Sequence, residues 1–304
     1  MFHTQLAVDG GQTEIKLRII DKGYVAERRL PGVQTHLPVL PQLAAAIGHA
    51  ASIRGTGFDV VSIGTTGLTK AEHDAGALRA MLQPGVASGL NLAHDSVSSY
   101  LGALGDRPGA VVAAGTGVVT LAVGTNNTAR VDGWGNIMGD AGSAYWMGQQ
   151  ALSAVMRAHD GRGPQTALTG PVQERWPELE EAYIQLQAAP DKIAVVASFG
   201  KEVSRYAQTD PVAALICDLA GKELAHSAAA ALRRTGQADA SQASVACLGG
   251  VFAGARVRSA FTAELASLVP GARLVEPAGN GLDGIRLMGG LTANHPLRSM
   301  ISSV

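Results

Sequence analysis

The apolar pattern opens with a short strand over Leu6–Asp9, a Gly-Gly turn, and two further strands near Ile15–Ile20 and Tyr24–Leu30. The period then lengthens. Leu40, Leu43, Ile47 and Ala50 share one face of a helix predicted over Pro38–Arg54. A strand at Val60–Ile63, a helix over Lys70–Met81, a strand at Leu90–Ala93 and a helix opening at Asp95 follow. An antiparallel meander that passes into alternating helices and strands predicts a mixed α/β sheet.

From Pro108 to Ala129 the chain carries no charge, long enough to resemble a membrane span. Gly115-Thr116-Gly117 and Asn126-Asn127 break this stretch into β-branched pieces, so it reads as hairpins, and the βββαβα order restarts at Ala110. Gly139 to Thr235 is helical almost throughout, with Val212, Leu215, Ile216, Leu219 and Leu232 on a long alanine-rich helix. The α/β pattern then returns with a strand at Ser244–Leu248, a helix at Ala253–Leu268, a strand at Arg273–Val275 and a helix at Leu282–Ala293.

A chain of 304 residues is long enough for two domains of roughly 150 residues, each with its own core. Only 16% of residues are charged and the formal charge is -1, so no basic field exists to hold nucleic acid or a membrane surface. Cys217 and Cys247 fall in apolar patterns and read as buried thiols; two cysteines build neither a disulfide framework nor a four-cysteine metal site. The opening MFHTQLAVDGG lacks a basic stretch followed by a long apolar core, so no signal peptide is read there and a cytoplasmic location is expected.

Five segments carry candidate chemistry. Asp9-Gly10-Gly11-Gln12-Thr13 ends the first strand; its glycines would let amides approach a phosphate, and Asp9 could hold a magnesium ion through water, although Asp-Gly-Gly is also a common hairpin turn. Gly115-Thr116-Gly117 exposes amides and a hydroxyl between two strands, or is simply a hairpin that needs glycine. Gly249-Gly250 follows a buried strand, where an adenine ring could lie on the backbone or a helix could pack closely. His94-Asp95-Ser96 stands at a helix start, where Asp95 is a helix cap, a general base for an attacking hydroxyl, or both. The fifth, Asp132 to Trp146, holds four glycines, two acids and two of the chain's three tryptophans, whose indoles offer flat faces to a sugar.

The order and spacing of these segments resemble the N-acetylglucosamine kinase-like branch of the BadF/BadG/BcrA/BcrD ATPase family, within the sugar kinase and actin ATPase superfamily. The family block of the type GGWG…MGDEGSAYW stands here as DGWGNIMGDAGSAYW. The resemblance implies two actin-like, ribonuclease H-like lobes of duplicated βββαβα order around a nucleotide cleft. It implies residues 1–112, completed by a C-terminal helix at about 294–304, as one lobe. The other would be 113–293, with a helical insert at about 150–236.

Function and roles come from the same resemblance: ATP-dependent phosphorylation of the 6-hydroxyl of an amino sugar, N-acetylglucosamine first, with Mg2+ as cofactor and a homodimer as the assembly. Asp95 would be the base. Asp9, Gly10, Gly11, Gln12, Thr13, Gly115, Thr116, Gly117, Gly249 and Gly250 would bind ATP, with Asp9 toward the metal. Thr35, His36, Thr66, Asp95, Thr116, Trp134, Gly135 and Asp140 would contact the sugar. Gln12 replaces the third glycine of the family's DGGGT turn, and Ala141 replaces its glutamate after Asp140. The rival readings are a glucosamine or unacetylated hexose kinase, an iron–sulfur ATPase activator, against which the scarcity of cysteine speaks, and a sugar sensor without activity.

Overall fold

The structure, a computed structural model, describes residues 4–239 and 242–304. The chain divides into two compact units, one of Met1–Pro108, Val123–Thr128 and Glu276–Val304, the other of Gly109–Ala122 and Ala129–Val275. In chain order the first stretch holds β1 (Thr4–Gly10), β2 (Glu14–Asp21), β3 (Tyr24–Pro31), α1 (Val39–Arg54), β4 (Phe58–Thr65), α2 (Ala75–Ala80), β5 (Ala87–His94) and α3 (Asp95–Leu104). Next come β6 (Gly109–Ala114), β7 (Val118–Val123), β8 (Thr128–Asp132), α4 (Gly135–Met138) and α5 (Ala144–His159). They are followed by α6 (Thr169–Arg175), α7 (Leu179–Ala188), α8 (Lys192–Tyr206), α9 (Pro211–Arg234), β9 (Ala243–Leu248), α10 (Ala255–Leu268) and β10 (Ala272–Val275). The chain ends with α11 (Gly281–Leu287) and β11 (Ile301–Ser303).

The first unit's sheet runs β11-β5-β4-β1-β2-β3, and the second unit's runs β10-β9-β6-β7-β8. Counting strands from the start of each unit, the second sheet reads 5-4-1-2-3 and the first contains the same order with β11 added at the β5 edge, so the repeat seen in the pattern is a repeat of topology. In each sheet the opening strand lies antiparallel or hairpin-linked on one side and parallel to its fourth strand on the other; β1 pairs with β4 and β6 with β9 in parallel register. The uncharged stretch after Pro108 is β6 and β7, and among the described residues no helix is long and apolar enough to cross a membrane.

Each unit closes its own core. In the first, Leu6, Val8, Leu17, Leu43, Ile47, Val61, Ile63, Leu90 and Leu92 pack strands against α1 and α2. In the second, α9 buries Ala213, Ala220, Ala225, Ala228 and Ala229, small residues that let neighbouring helices come close. This helix starts where it does because Asp210 accepts from the amides of Val212 and Ala213 at 2.7 and 3.0 Å, with Pro211 supplying the fixed φ of a first helical residue. Cys217 is buried on α9, its thiol pushed up to about 11 by burial, in keeping with a packing role.

Three expectations are corrected. The helix over Lys70–Met81 shrinks to α2, because Glu72 turns away to accept the Val39 amide at the start of α1, and Asp74 caps the shorter helix through the Ala77 amide. The helix at 294–304 is absent: Pro296–Met300 forms a 3-10 turn, and β11 pairs with the otherwise open edge of β5. Residues 276–293, expected in the second lobe, belong to the first unit, because α11 packs on α3.

The α3–α11 seam is backbone against backbone. A Cβ on Gly284 would collide with the Ser98 carbonyl oxygen and the Gly102 nitrogen. Gly284→Ala is therefore expected to destabilise by about 1–3 kcal/mol through overpacking. By contrast Gly48, exposed on α1 with nothing near its Cβ direction, should gain stability as alanine, by roughly 0.5–1 kcal/mol. Thermal melts of the two variants must move in opposite directions; parallel shifts would contradict the seam.

Candidate active site

In the first unit three neighbouring parallel strands end together. Gly10 pairs in register with Thr65, and Thr65 with His94, so Asp9-Gly10, Thr65-Thr66 and His94-Asp95 share the carboxyl edge of β1, β4 and β5, the edge where open α/β sheets carry ligands. The strands are tied there: the Thr66 amide donates to the Gly10 carbonyl at 2.9 Å, and the buried Thr65 hydroxyl donates to the same oxygen at 3.2 Å. A side chain on Gly10 would stand 2.6 Å from the Thr65 oxygen. The β1–β2 turn closes through the Gly11 amide and the Glu14 carbonyl, leaving Gln12 and Thr13 exposed at its tip.

Asp95 is the first residue of α3. The cap is His94, whose Nδ1 accepts from the Ser96 amide at 3.2 Å, which corrects the reading of Asp95 as the capping residue. Its carboxylate is thereby released from that duty while staying in the first helical turn, where the amide dipoles favour negative charge. Asp95 Oδ1 is buried and accepts no hydrogen bond, although His94 Nδ1 lies 2.7 Å away. That ring nitrogen serves one partner at a time: without a hydrogen it accepts from the Ser96 amide, and in the tautomer that carries one it donates to Asp95 instead. Burial raises the Asp9 carboxyl above its ordinary value; Lys16 pulls it back, and Asp95 and Glu14 push it up again.

Thr35 reaches the same edge, since the left-handed Gly67 after Thr66 leaves room only for the Thr35 methyl. His36 is not drawn in: it is exposed in a turn that Gln42 pins through the Gln34 amide and the Gln34 and Pro38 carbonyls.

In the second unit the glycine turn and the tryptophan loop are one bonded object. The amides of Ala144 and Tyr145, at the start of α5, donate to the carbonyls of Gly115 and Thr116 at 2.9 and 3.1 Å. Asp140 is buried; its Oδ1 accepts from the Val118 amide at 3.3 Å, and a Cβ on Gly117 would stand 2.6 Å from its other oxygen. Burial raises the Asp140 carboxyl, the Val118 amide opposes this, and the nearby Asp132 raises it further. Trp134 is 59% exposed, with the Arg130 guanidinium 5.2 Å from its ring centroid. Beside the turn lies Gly249, left-handed at φ +96° and pressed on the Ala114 carbonyl, so close packing explains this glycine, whereas nothing crowds Gly250.

Asp132 and Arg130 were not among the predicted site residues. Asp132 was visible in the motif, but a lone aspartate before glycine signals only a turn. Among the described residues no three His, Cys, Asp or Glu side chains cluster as a metal cage.

The family model for BadF/BadG/BcrA/BcrD ATPases matches residues 6–300. The chain belongs to that family. The chain is similar to the N-acetylmuramic acid/N-acetylglucosamine kinase of Clostridium acetobutylicum, 28% identical over 176 residues, 56% of this chain and 54% of that protein. The match thus spans about half the length of that relative. Among solved structures, a Chromobacterium violaceum protein provisionally described as an N-acetylglucosamine kinase superposes with a TM-score of 0.74 at 23% identity, covering 94% of this chain and 98% of that one. A ROK family glucokinase from Streptomyces griseus, in complex with glucose and AMPPNP, superposes at 0.56 and 16% identity, covering 93% and 97%. These two likenesses establish the fold of the BadF/BadG-type chain.

The raised Asp9 carboxyl has a stability consequence. Relative to an ordinary value of 3.8, ionised Asp9 costs the fold nothing at lower pH and progressively more as pH rises through its raised folded-state pKa. Asp9→Asn should therefore melt higher than the parent at pH 7, with the gap closing near pH 4. A variant that melts lower at pH 7 would show that burial is not the ruling influence on this carboxylate.

Proposed function

We propose that the protein is an ATP-dependent kinase of an amino sugar, with N-acetylglucosamine the leading acceptor and its 6-hydroxyl the attacking group. The observation that carries this reading is the interlock of the 115–117 turn with the 132–146 loop, which fixes a glycine turn, an exposed indole and a buried carboxylate in one bonded frame. Phosphoryl transfer asks a protein mainly for such alignment and for charge neutralisation. The names of the relatives, which specify N-acetylglucosamine and ATP-analogue complexes for those proteins, support the same choice.

In this reading Asp95 takes the hydroxyl proton as the sugar oxygen bonds to the γ-phosphorus and the bond to ADP breaks. Gly10, Gly11, Gln12, Thr13, Gly115, Thr116 and Gly117 hold phosphates, and Gly249 and Gly250 border the adenosine. Trp134, Gly135 and Asp140, with Thr35 and Thr66, hold the sugar; His36 is left with no bond that would orient it. Asp9 is the carboxylate for Mg2+. A single partly dehydrated carboxylate at the end of β1 fits this ion, which keeps waters and substrate phosphates among its ligands and would neutralise phosphate charge. A cytoplasmic homodimer completes the reading, and exposed Tyr183, Ile184, Leu215 and Leu219 give the helical region apolar surface for such contact.

The test is ADP release with ATP and Mg2+ across N-acetylglucosamine, glucosamine, N-acetylmannosamine and glucose. One amino sugar should dominate, and a flat response would sink the kinase assignment. Asp95→Asn should lower turnover by about 10²–10⁴ while sugar binding, followed by calorimetry, persists; retained turnover would remove Asp95 from the role of base.

A further inference from the structure

We propose that Asp132 is a positioning residue: its carboxylate, bonded to the amides of Asp140 and Ala141, holds the Asp140 side chain against the end of the 115–117 turn. The proposal rests on the reading of Asp140 as a sugar contact and extends it to a residue outside that contact.

The backbone makes the first case. Asp132 and Asp140 both adopt left-handed φ, +59° and +60°, and the only other described non-glycine residue to do so is Lys22. Such a conformation costs an ordinary residue on the order of 1–2 kcal/mol and persists only where surroundings impose it. Two of them eight positions apart, with Gly133, Gly135 and Gly142 also left-handed, make 132–142 a loop that local preference alone would not hold.

Hydrogen bonds supply the restraint. Asp132 Oδ1 accepts from the Gly133 amide at 2.7 Å and the Asp140 amide at 2.8 Å, and Oδ2 accepts from the Ala141 amide at 3.2 Å. Both ends of the loop thus meet on one carboxylate, and charge makes these bonds stronger than neutral ones. The consequence passes onward. With its amide fixed, Asp140 directs its carboxylate to the Val118 amide, immediately after Gly117. A glycine at 132 would satisfy the backbone more easily, so the aspartate is explained by its oxygens rather than by its φ.

Electrostatics adds a signature that a purely structural brace would lack. Asp140 faces Asp132, which raises its carboxyl behind the larger influence of burial, while the Val118 and Gly135 amides and Arg130 lower it. Neutralising Asp132 removes a raising influence, so Asp140 should ionise at lower pH.

The experiment compares Asp132→Asn, which removes the charge, and Asp132→Gly, which relaxes the backbone, with Asp140→Asn and the double variant Asp132→Asn/Asp140→Asn. Hydrogen exchange of the 140, 141 and 118 amides is read beside kcat/KM for the amino sugar. Expected are faster exchange at all three amides, a roughly 10- to 100-fold fall in kcat/KM for either Asp132 variant, and no further fall when Asp132→Asn is added to Asp140→Asn. The acid limb of the Asp132→Asn rate profile should also move to lower pH. Unchanged exchange at Val118, or an equal loss in the Asp140→Asn background, would overturn the proposal. If the unaltered protein turns over no amino sugar, the proposed function falls instead, and exchange at Val118 still decides whether Asp132 acts through Asp140. Should Asp132→Asn not fold, Asp132→Gly carries both readouts.

Discussion

In both sheets the chain must leave the first and fourth strands at their shared end with no room for a side chain between them. Gly10 meets Thr65 there in one unit, and Gly249 meets the Ala114 carbonyl in the other. Parallel neighbours finish side by side, and the place a Cβ would take is filled by the Thr65 side chain at Gly10 and by the Ala114 backbone at Gly249. The layout of each sheet's carboxyl edge depends on this closeness. It sets the Thr65 hydroxyl on the Gly10 carbonyl, and it places the 115–117 turn beside Gly249. The glycine sits on the first strand in one unit and after the fourth in the other, so the packing requirement is shared while the residue that meets it has moved.

Strain is distributed unevenly on this frame. The first unit reaches its edge through ordinary strand and helix geometry, and His94 caps α3 so that Asp95 keeps an unbonded oxygen. The second unit instead gathers left-handed residues into one loop and fastens them by Asp132, Asp140 and the first amides of α5. Arg130 belongs to the same fastening, with its guanidinium over Trp134 and its Nε buried without a partner. A buried donor left unmet costs free energy that packing elsewhere must offset.

The strands, the duplicated order and the glycine turns were legible because each rests on short-range signals: a period of two, a period near 3.6, and glycine pairs after apolar runs. The C-terminal strand was not, because Ile301–Ser303 is extended only by virtue of the open edge of β5, a partner some two hundred residues away. The start of α2 failed similarly, since Glu72 is drawn off by the Val39 amide. At the candidate site, the place of Asp95 after a strand is legible, but its neighbour's role as cap depends on which side chain turns back to the Ser96 amide. Asp132 was overlooked for a related reason: its partners lie eight and nine positions ahead, across a loop whose closure no periodicity announces.

The carboxylates reveal what the frame does chemically. Asp9 and Asp140 occupy different units, yet in each case burial is the largest influence on the carboxyl and raises it. Neither is neutralised by a close arginine or lysine hydrogen bond of the kind that holds Asp283, where Arg18 lies at 2.6 Å. Asp283 is therefore a structural anion, its charge already matched. Asp9 and Asp140 carry charge that the fold has partly dehydrated and left short of a cation, so a cation or a hydrogen-bond donor arriving from solution gains more there than at any matched pair. That imbalance gives these two carboxylates a reason to bind something, and it is the fold's own packing at the strand ends that creates it.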